Sequence, residues 1–181
     1  MTFSTLPAGL TALTQILMLH PHIEVRGSDI EGRGLFANAV IKKGELVWRK
    51  EDNERYYSQA EIDRFSGEQK KNFYNYCYQV GPDQFYGTPE GKAGDDADYM
   101  NHSCDPNTWF EADGSMTALR DISPNEEVTY DYATSESRAD FQLNCRCGSP
   151  LCRGTVRGSD VKKVPALRER YGSHVMPHVL A

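Results

Sequence analysis

Apolar and polar positions alternate with a period of two over much of the chain, which predicts strands more often than helices. Ile23 and Val25 flank Glu24, Leu35-Phe36-Ala37 runs extended after Gly32-Arg33-Gly34, and Lys42-Lys43-Gly44-Glu45 turns into Leu46-Val47-Trp48. Residues 24–50 therefore read as strands broken by turns. The pattern becomes helical in the middle, where Ser58-Gln59-Ala60-Glu61 and Ser66-Gly67-Glu68-Gln69 each have the form of a capping box. Apolar Ile62, Phe65, Phe73 and Tyr76 follow them, predicting two short helices. Tyr78-Gln79-Val80 and Gln84-Phe85-Tyr86 flank a Gly81-Pro82-Asp83 turn as one hairpin. Thr108 to Glu111 and Ser115 to Arg120 flank Asp113-Gly114 as another. Val128 to Tyr132 continues extended, Ala133 to Asn144 is polar and linker-like, and a helix is predicted near Ala166 to Arg170. The fold class is mostly β.

The chain has 181 residues, enough for one domain with a core of its own. Its net charge of -6 lacks the basic footprint of a protein that binds nucleic acid directly. Acidic groups at residues 51–54, 95–98 and 126–127 suit a basic partner, since such a field steers a Lys/Arg-rich peptide toward a cleft. No apolar run reaches the roughly 18 to 20 residues that span a bilayer, so no membrane contact is expected. Leu6 to Leu19 is mildly apolar without a preceding positive charge, and reads as an arm or helix packed on the domain rather than a secretory signal.

Five cysteines, three of them spaced C-x-C-x4-C as Cys145, Cys147 and Cys152, favour a metal over disulfides and a reducing, intracellular setting. Three thiolates leave a tetrahedral zinc site one ligand short. The spacing leaves Cys104, Cys77 and His102 as candidates. A lone Gly-x-Gly such as Gly32-Arg33-Gly34 is an ordinary hairpin turn, and Asn101-His102 before Asp105-Pro106 is an ordinary polar turn.

Three blocks in order, Asn101-His102-Ser103-Cys104, Tyr130-Asp131-Tyr132 and Cys145-Arg146-Cys147 with Cys152, resemble the SET-domain protein-lysine N-methyltransferases with a post-SET zinc motif. The likeness runs from about Glu24 to about Val156. It implies a SET fold, small β-sheets around a knot-like core with a short helical insert, and a C-terminal post-SET zinc segment. The corresponding organisation is an N-terminal arm over 1–20, the SET domain over 21–133, a linker over 134–144, the post-SET motif over 145–156 and a tail over 157–181.

The same resemblance implies S-adenosylmethionine as methyl donor, held by Gly32, Arg33, Gly34, Tyr78, Asn101, His102 and Tyr132, and a structural zinc ion held by Cys104, Cys145, Cys147 and Cys152. Cys77 is left as a small buried apolar residue. Tyr132 matches the catalytic tyrosine, Tyr130 the position that governs how many methyl groups fit, and Tyr78 an aromatic residue of the lysine channel; Asp131 is expected to be structural. Two positions depart from the family pattern: Asp98 stands where many relatives have arginine, and Ala93 precedes Gly94 in place of an aromatic residue or histidine. With four of the five cysteines assigned, no cysteine-rich pre-SET segment is expected, which argues against the branch of histone methyltransferases that depends on one. The implied substrate is a basic protein or peptide bearing lysine, with histone tails first and a ribosomal or other non-histone protein second. A non-catalytic zinc-stabilised peptide-binding module is the rival from another class. Nucleus or chromosome is implied for a eukaryotic source and cytoplasm for a bacterial one; the oligomeric state is not legible.

Overall fold

A computed structural model describes residues 18–50 and 54–181. The expected arm over Leu6 to Leu19 lies outside them except at its end, where Leu19 bridges to Trp48. Strands β1 (Ile23–Gly27) and β2 (Arg33–Ala37) form an antiparallel hairpin, followed by β3 (Leu46–Trp48). Two capping boxes then start α1 (Gln59–Ile62) and α2 (Gly67–Asn75), with the Ser58 and Ser66 side chains accepting from the N–H groups of Glu61 and Gln69. Each such cap contributes about 1 kcal/mol to a helix too short to stand alone. These helices bury Ile62 and Phe73 against Phe85, forming a satellite core. Full burial of a residue like Phe73 contributes roughly 1.5–3 kcal/mol.

The hairpin of β4 (Tyr78–Gly81) and β5 (Gln84–Tyr86) closes the insert. After β6 (Asn101–His102), the antiparallel pair β7 (Thr108–Phe110) and β8 (Met116–Ala118) turns at Asp113-Gly114, where Gly114 takes φ +80°, a conformation unfavourable to a residue with a Cβ. β9 (Glu127–Tyr130) pairs antiparallel with β2 on one side and parallel with β6 on the other, giving the sheet order β1-β2-β9-β6. The parallel register sets Asn101 beside Thr129 and His102 beside Tyr130. Segments far apart in sequence are thereby brought side by side at the centre of the molecule. A second sheet runs β3-β8-β7, and the main core lies between the sheets around Leu35, Ile41, Val47, Phe110, Ile122 and Val128.

Beyond β9 a 3-10 turn spans Tyr132–Thr134, and β10 (Gln142–Asn144) pairs with β11 (Thr155–Arg157) around the cysteine cluster. Thr134, Ser135 and Glu136, in the stretch read as a polar linker, are buried because their groups are hydrogen-bonded rather than solvated. The tail folds into α3 (Asp160–Lys163), α4 (Pro165–Tyr171) and α5 (Pro177–Leu180). Val161, Leu167, Tyr171, Val175 and Val179 pack with Cys104, Ala133 and Val156 as a second core. Among the described residues no helix is long and apolar enough to cross a membrane.

Candidate active site and metal centre

Cys104 leaves the end of β6, Cys145 follows β10, and Cys152 precedes β11. Their sulfurs and that of Cys147 all lie within 4.8 Å of one another. The Cys104 and Cys145 sulfurs are 3.8 Å apart, which is about the edge of a tetrahedron whose metal–sulfur bonds are about 2.3 Å. Backbone N–H groups of Arg153 and Cys147 donate to the Cys104 and Cys145 sulfurs, at 3.3 and 3.4 Å. Burial opposes the Cys147 thiolate, but hydrogen bonds from Cys104, Ser149 and the neighbouring thiols outweigh it and bring the group down to about 7. Burial pushes the Cys104 thiol up to about 11 and the Cys145 thiol higher still. Four thiolates together therefore call for a cation, and the donor set fits zinc.

His102, the competing donor, is used differently. Its Nδ1 accepts the Tyr132 N–H at 3.1 Å, so Nε2 carries the proton and points at the Cys104 sulfur, 3.3 Å away. Burial lowers this imidazole to about 4, which keeps it neutral. Cys77 stands apart from the cluster, its thiol pushed up by burial.

A cavity of about 820 Å³ opens beside the cluster. Gly32, Arg33, Tyr78, Asn101, His102, Tyr130 and Tyr132 all line it. Gly34 does not: a Cβ there would stand 2.2 Å from Oε1 of Glu127, so this glycine lets β2 and the Glu127 carboxylate come together. The Asn101 amide nitrogen reaches the carbonyls of Glu31 and Arg33 and Oε1 of Glu127, at 3.2, 2.9 and 2.8 Å. Asn101 thus braces the Gly-x-Gly loop against β9. Arg33 lies over the Tyr99 ring at 4.4 Å. Leu143, Cys145 and Arg146 supply the opposite wall, and Arg146 bonds to Glu31 across the rim at 3.3 Å.

The tyrosines meet at the inner end. Tyr130 and Tyr132 have ring centroids 4.8 Å apart, and the Tyr132 hydroxyl donates to the Met100 carbonyl at 2.8 Å. Burial raises both phenols well above the ordinary range, so they stay protonated. With its proton committed to Met100, the Tyr132 oxygen keeps lone pairs free to accept a hydrogen bond from an amine. Tyr78 packs between Trp48 and Tyr86, and its hydroxyl meets Glu54 at 3.3 Å. Trp48, Tyr78 and Phe110 are shared with a smaller cavity of about 230 Å³, which Lys50, Met176 and Pro177 also line.

Asp131 links the two halves. Its buried carboxylate accepts two 2.7 Å bonds from the Arg153 guanidinium and one of 2.9 Å from the Tyr171 hydroxyl. Arg153 follows Cys152 directly, so one ion pair joins the cysteine cluster to the tyrosine segment. Sequence reasoning missed Arg153, Tyr171, Glu127 and Asn107. The buried Asn107 receives the Thr129 N–H and donates to the Glu127 carbonyl, fixing β9 from the far side of β6. The apolar spacing of Leu167, Tyr171, Val175 and Val179 was the available signal for the tail.

The family model described as SET domain matches residues 32–133, more than half of the chain. Human histone-lysine N-methyltransferase 2B is 33% identical over 142 residues, 72% of this chain and 5% of that protein. The Schizosaccharomyces pombe histone-lysine N-methyltransferase, H3 lysine-4 specific, is 32% identical over 140 residues, 70% of this chain and 14% of that protein. The chain therefore spans a small fraction of the length of these curated relatives. The crystal structure of KRYPTONITE in complex with mCHH DNA, H3(1-15) peptide and SAH aligns at a TM-score of 0.55 with 23% identity, covering 77% of this chain and 30% of that one. At that identity the likeness is one of fold. With the matched residues holding both the braced glycine loop and the tyrosine pair, the chain belongs to the SET-domain family.

Proposed function

We propose that the chain is an S-adenosylmethionine-dependent protein-lysine N-methyltransferase, with histone lysine as the substrate and, in a eukaryotic source, the nucleus or chromosome as its place of work. The observation that carries this reading is the convergence of Tyr78, Tyr130, Tyr132, Asn101 and His102 on one cavity large enough for a nucleotide-sized ligand. S-adenosylmethionine, when bound, supplies an electrophilic methyl group on a cationic sulfur. Gly32, Arg33, Asn101 and His102 hold the cofactor end of the cavity, Asn101 by bracing the loop and His102 through its backbone beside Tyr130.

The remaining chemistry falls to the aromatic wall. A lysine amine near its ordinary pKa of about 10.4 must give its proton to solvent before it attacks, and desolvation beside a cationic sulfur would favour the neutral form. The Tyr132 oxygen accepts an N–H of that amine and turns its lone pair toward the methyl group, so that alignment supplies much of the rate. Tyr130 narrows the space in which a methylated amine can rotate. Cys104, Cys145, Cys147 and Cys152 hold the structural zinc that clamps the wall formed by Leu143, Cys145 and Arg146.

The basic substrate is supported by the chain's net charge of -6 and by curated relatives named as histone-lysine N-methyltransferases. The test is incubation with methyl-labelled S-adenosylmethionine and core histones and, separately, a ribosome-rich lysate. Label on a histone band is expected; label confined to ribosomal proteins moves the substrate, and no label anywhere removes the activity.

A further inference from the structure

The short turn that starts with Tyr132, two residues after Tyr130 ends β9, is held from outside. It has three residues, too few to fix its own orientation; His102 and Met100 hold Tyr132 from within residues 32–133, and the other bonds to residues 131–135 come from Arg153 and the tail beyond them. The Tyr171 hydroxyl donates to Asp131 between the two tyrosines at 2.9 Å. The Met176 N–H donates to the Thr134 carbonyl at 2.8 Å, and His178 Nε2 meets the Ser135 carbonyl at 2.6 Å. Because a carbonyl can only accept, His178 is protonated on Nε2, and its burial, which lowers the imidazole, keeps the ring neutral. A fourth bond runs from His174 Nδ1 to the carbonyl of Phe110, whose ring packs edge-on against Tyr130 with centroids 5.6 Å apart. Neither Tyr171 nor His178 lines the cavity, so any influence on the chemistry passes through the backbone of residues 131–135.

We propose that α4 and α5 form a positioning strap for the tyrosine pair, with Tyr171 and His178 as the positioning residues. The inference rests on the roles given above to Tyr130 and Tyr132. Methyl transfer is sensitive to alignment, and a misplacement of about 1 Å can cost a factor of about a hundred. A turn that loses the Tyr171 or the His178 bond keeps its place in the core, since Arg153 still holds Asp131, but samples a wider range of tyrosine orientations. The strap therefore acts on the rate of transfer and on how far methylation proceeds, while the cofactor loop, braced separately by Asn101, is untouched.

The test compares the full chain with Tyr171→Phe, His178→Leu and His178→Gln, using methyl-labelled S-adenosylmethionine and whichever of core histones or ribosomal proteins the unmodified chain labels. Tyr171→Phe leaves the ring in the core and removes only the hydroxyl. Tyr171→Phe and His178→Leu are expected to lower kcat roughly tenfold, with the dissociation constant of S-adenosylmethionine unchanged within about twofold. The ratio of mono- to dimethyl-lysine shifts with them. His178→Gln, whose amide N–H can replace the lost donor, recovers most of the rate. Unchanged kcat and product ratio in the two donor-loss variants, measured well below their unfolding temperatures, overturns the strap and leaves a structural role only. Parallel loss of cofactor affinity overturns it as well. An unmodified chain that labels neither histones nor ribosomal proteins defeats the reading of the tyrosines, and the strap with it.

Discussion

Arg153→Met is the substitution that most sharply separates a structural ion pair from a decorative one. The Asp131 side chain is fully buried and that of Arg153 is 14% exposed, and two 2.7 Å bonds join them. Methionine keeps the apolar stem and the backbone N–H that faces the Cys104 sulfur, but leaves the carboxylate without its cation. Removing one partner of a buried pair costs about 3–5 kcal/mol, because the surviving charge stays desolvated. For a chain of this length about 1 kcal/mol corresponds to roughly 2–4 °C, so a fall in Tm of about 6–20 °C is expected. The Tyr171 hydroxyl still donates to Asp131, which favours the lower half of that range. Asp131→Asn in the same background removes the stranded charge, so the double variant loses less than the sum of the two single losses. Thermal unfolding in excess zinc, with metal content measured on each protein, isolates the pair from the cysteine cluster. A fall below about 3 °C for Arg153→Met, or strict additivity in the double variant, refutes the reasoning.

Three further outcomes are expected. Cys104→Ser releases zinc as completely as Cys147→Ser, whereas Cys77→Ser retains it, as read by metal analysis after gel filtration. Tyr130→Phe raises the degree of methylation with little loss of the first transfer, because it removes one oxygen and its hydrogen-bonding capacity from the channel; mass spectrometry of a single-lysine peptide over time measures this, and an unchanged product distribution contradicts it. Burial first, then the charges of Asp95 and Glu54, raise the Asp98 carboxyl from 3.8 to about 7 despite a bond from the Gly94 N–H. A raised carboxyl stabilises the fold fully below 3.8 and loses that contribution as pH rises toward 7, so Asp98→Asn flattens the decline of stability across that window. Parallel urea-unfolding curves of the two proteins from pH 4 to 7 count against this.

Local pattern carried the parts of the fold that local chemistry decides. The Ser58 and Ser66 capping boxes, the hairpin of β4 and β5 and the Asp113-Gly114 turn all depend on residues within a few positions of each other. The parallel pairing of β6 with β9 depends on residues 28 positions apart in register, which no window of periodicity reaches; only the order of the three motif blocks pointed to it. The fourth sulfur was legible for the same reason. Arg153 and Tyr171 were not, because one arginine and one tyrosine in a polar tail look like solvated surface until the buried Asp131 is known. Thr134 to Glu136 misled in the opposite way: polar residues satisfied by hydrogen bonds leave no apolar stripe, so a buried segment resembles a linker. Asn101, expected at the cofactor through its side chain or backbone, lines the cavity, and the bonds from its amide nitrogen to the loop carbonyls 68 and 70 positions away were not legible.

In the proposed function the Tyr132 hydroxyl, anchored on the Met100 carbonyl, aligns a lysine amine for methyl transfer. The direct measurement pairs transfer of labelled methyl to core histones with calorimetric binding of S-adenosylmethionine, for the unmodified chain and for Tyr132→Phe. The account predicts label on histone lysine with the unmodified chain, a loss of transfer of about a hundredfold or more in Tyr132→Phe, and cofactor affinity retained within a few-fold. Transfer by Tyr132→Phe at a rate near that of the unmodified chain would contradict it.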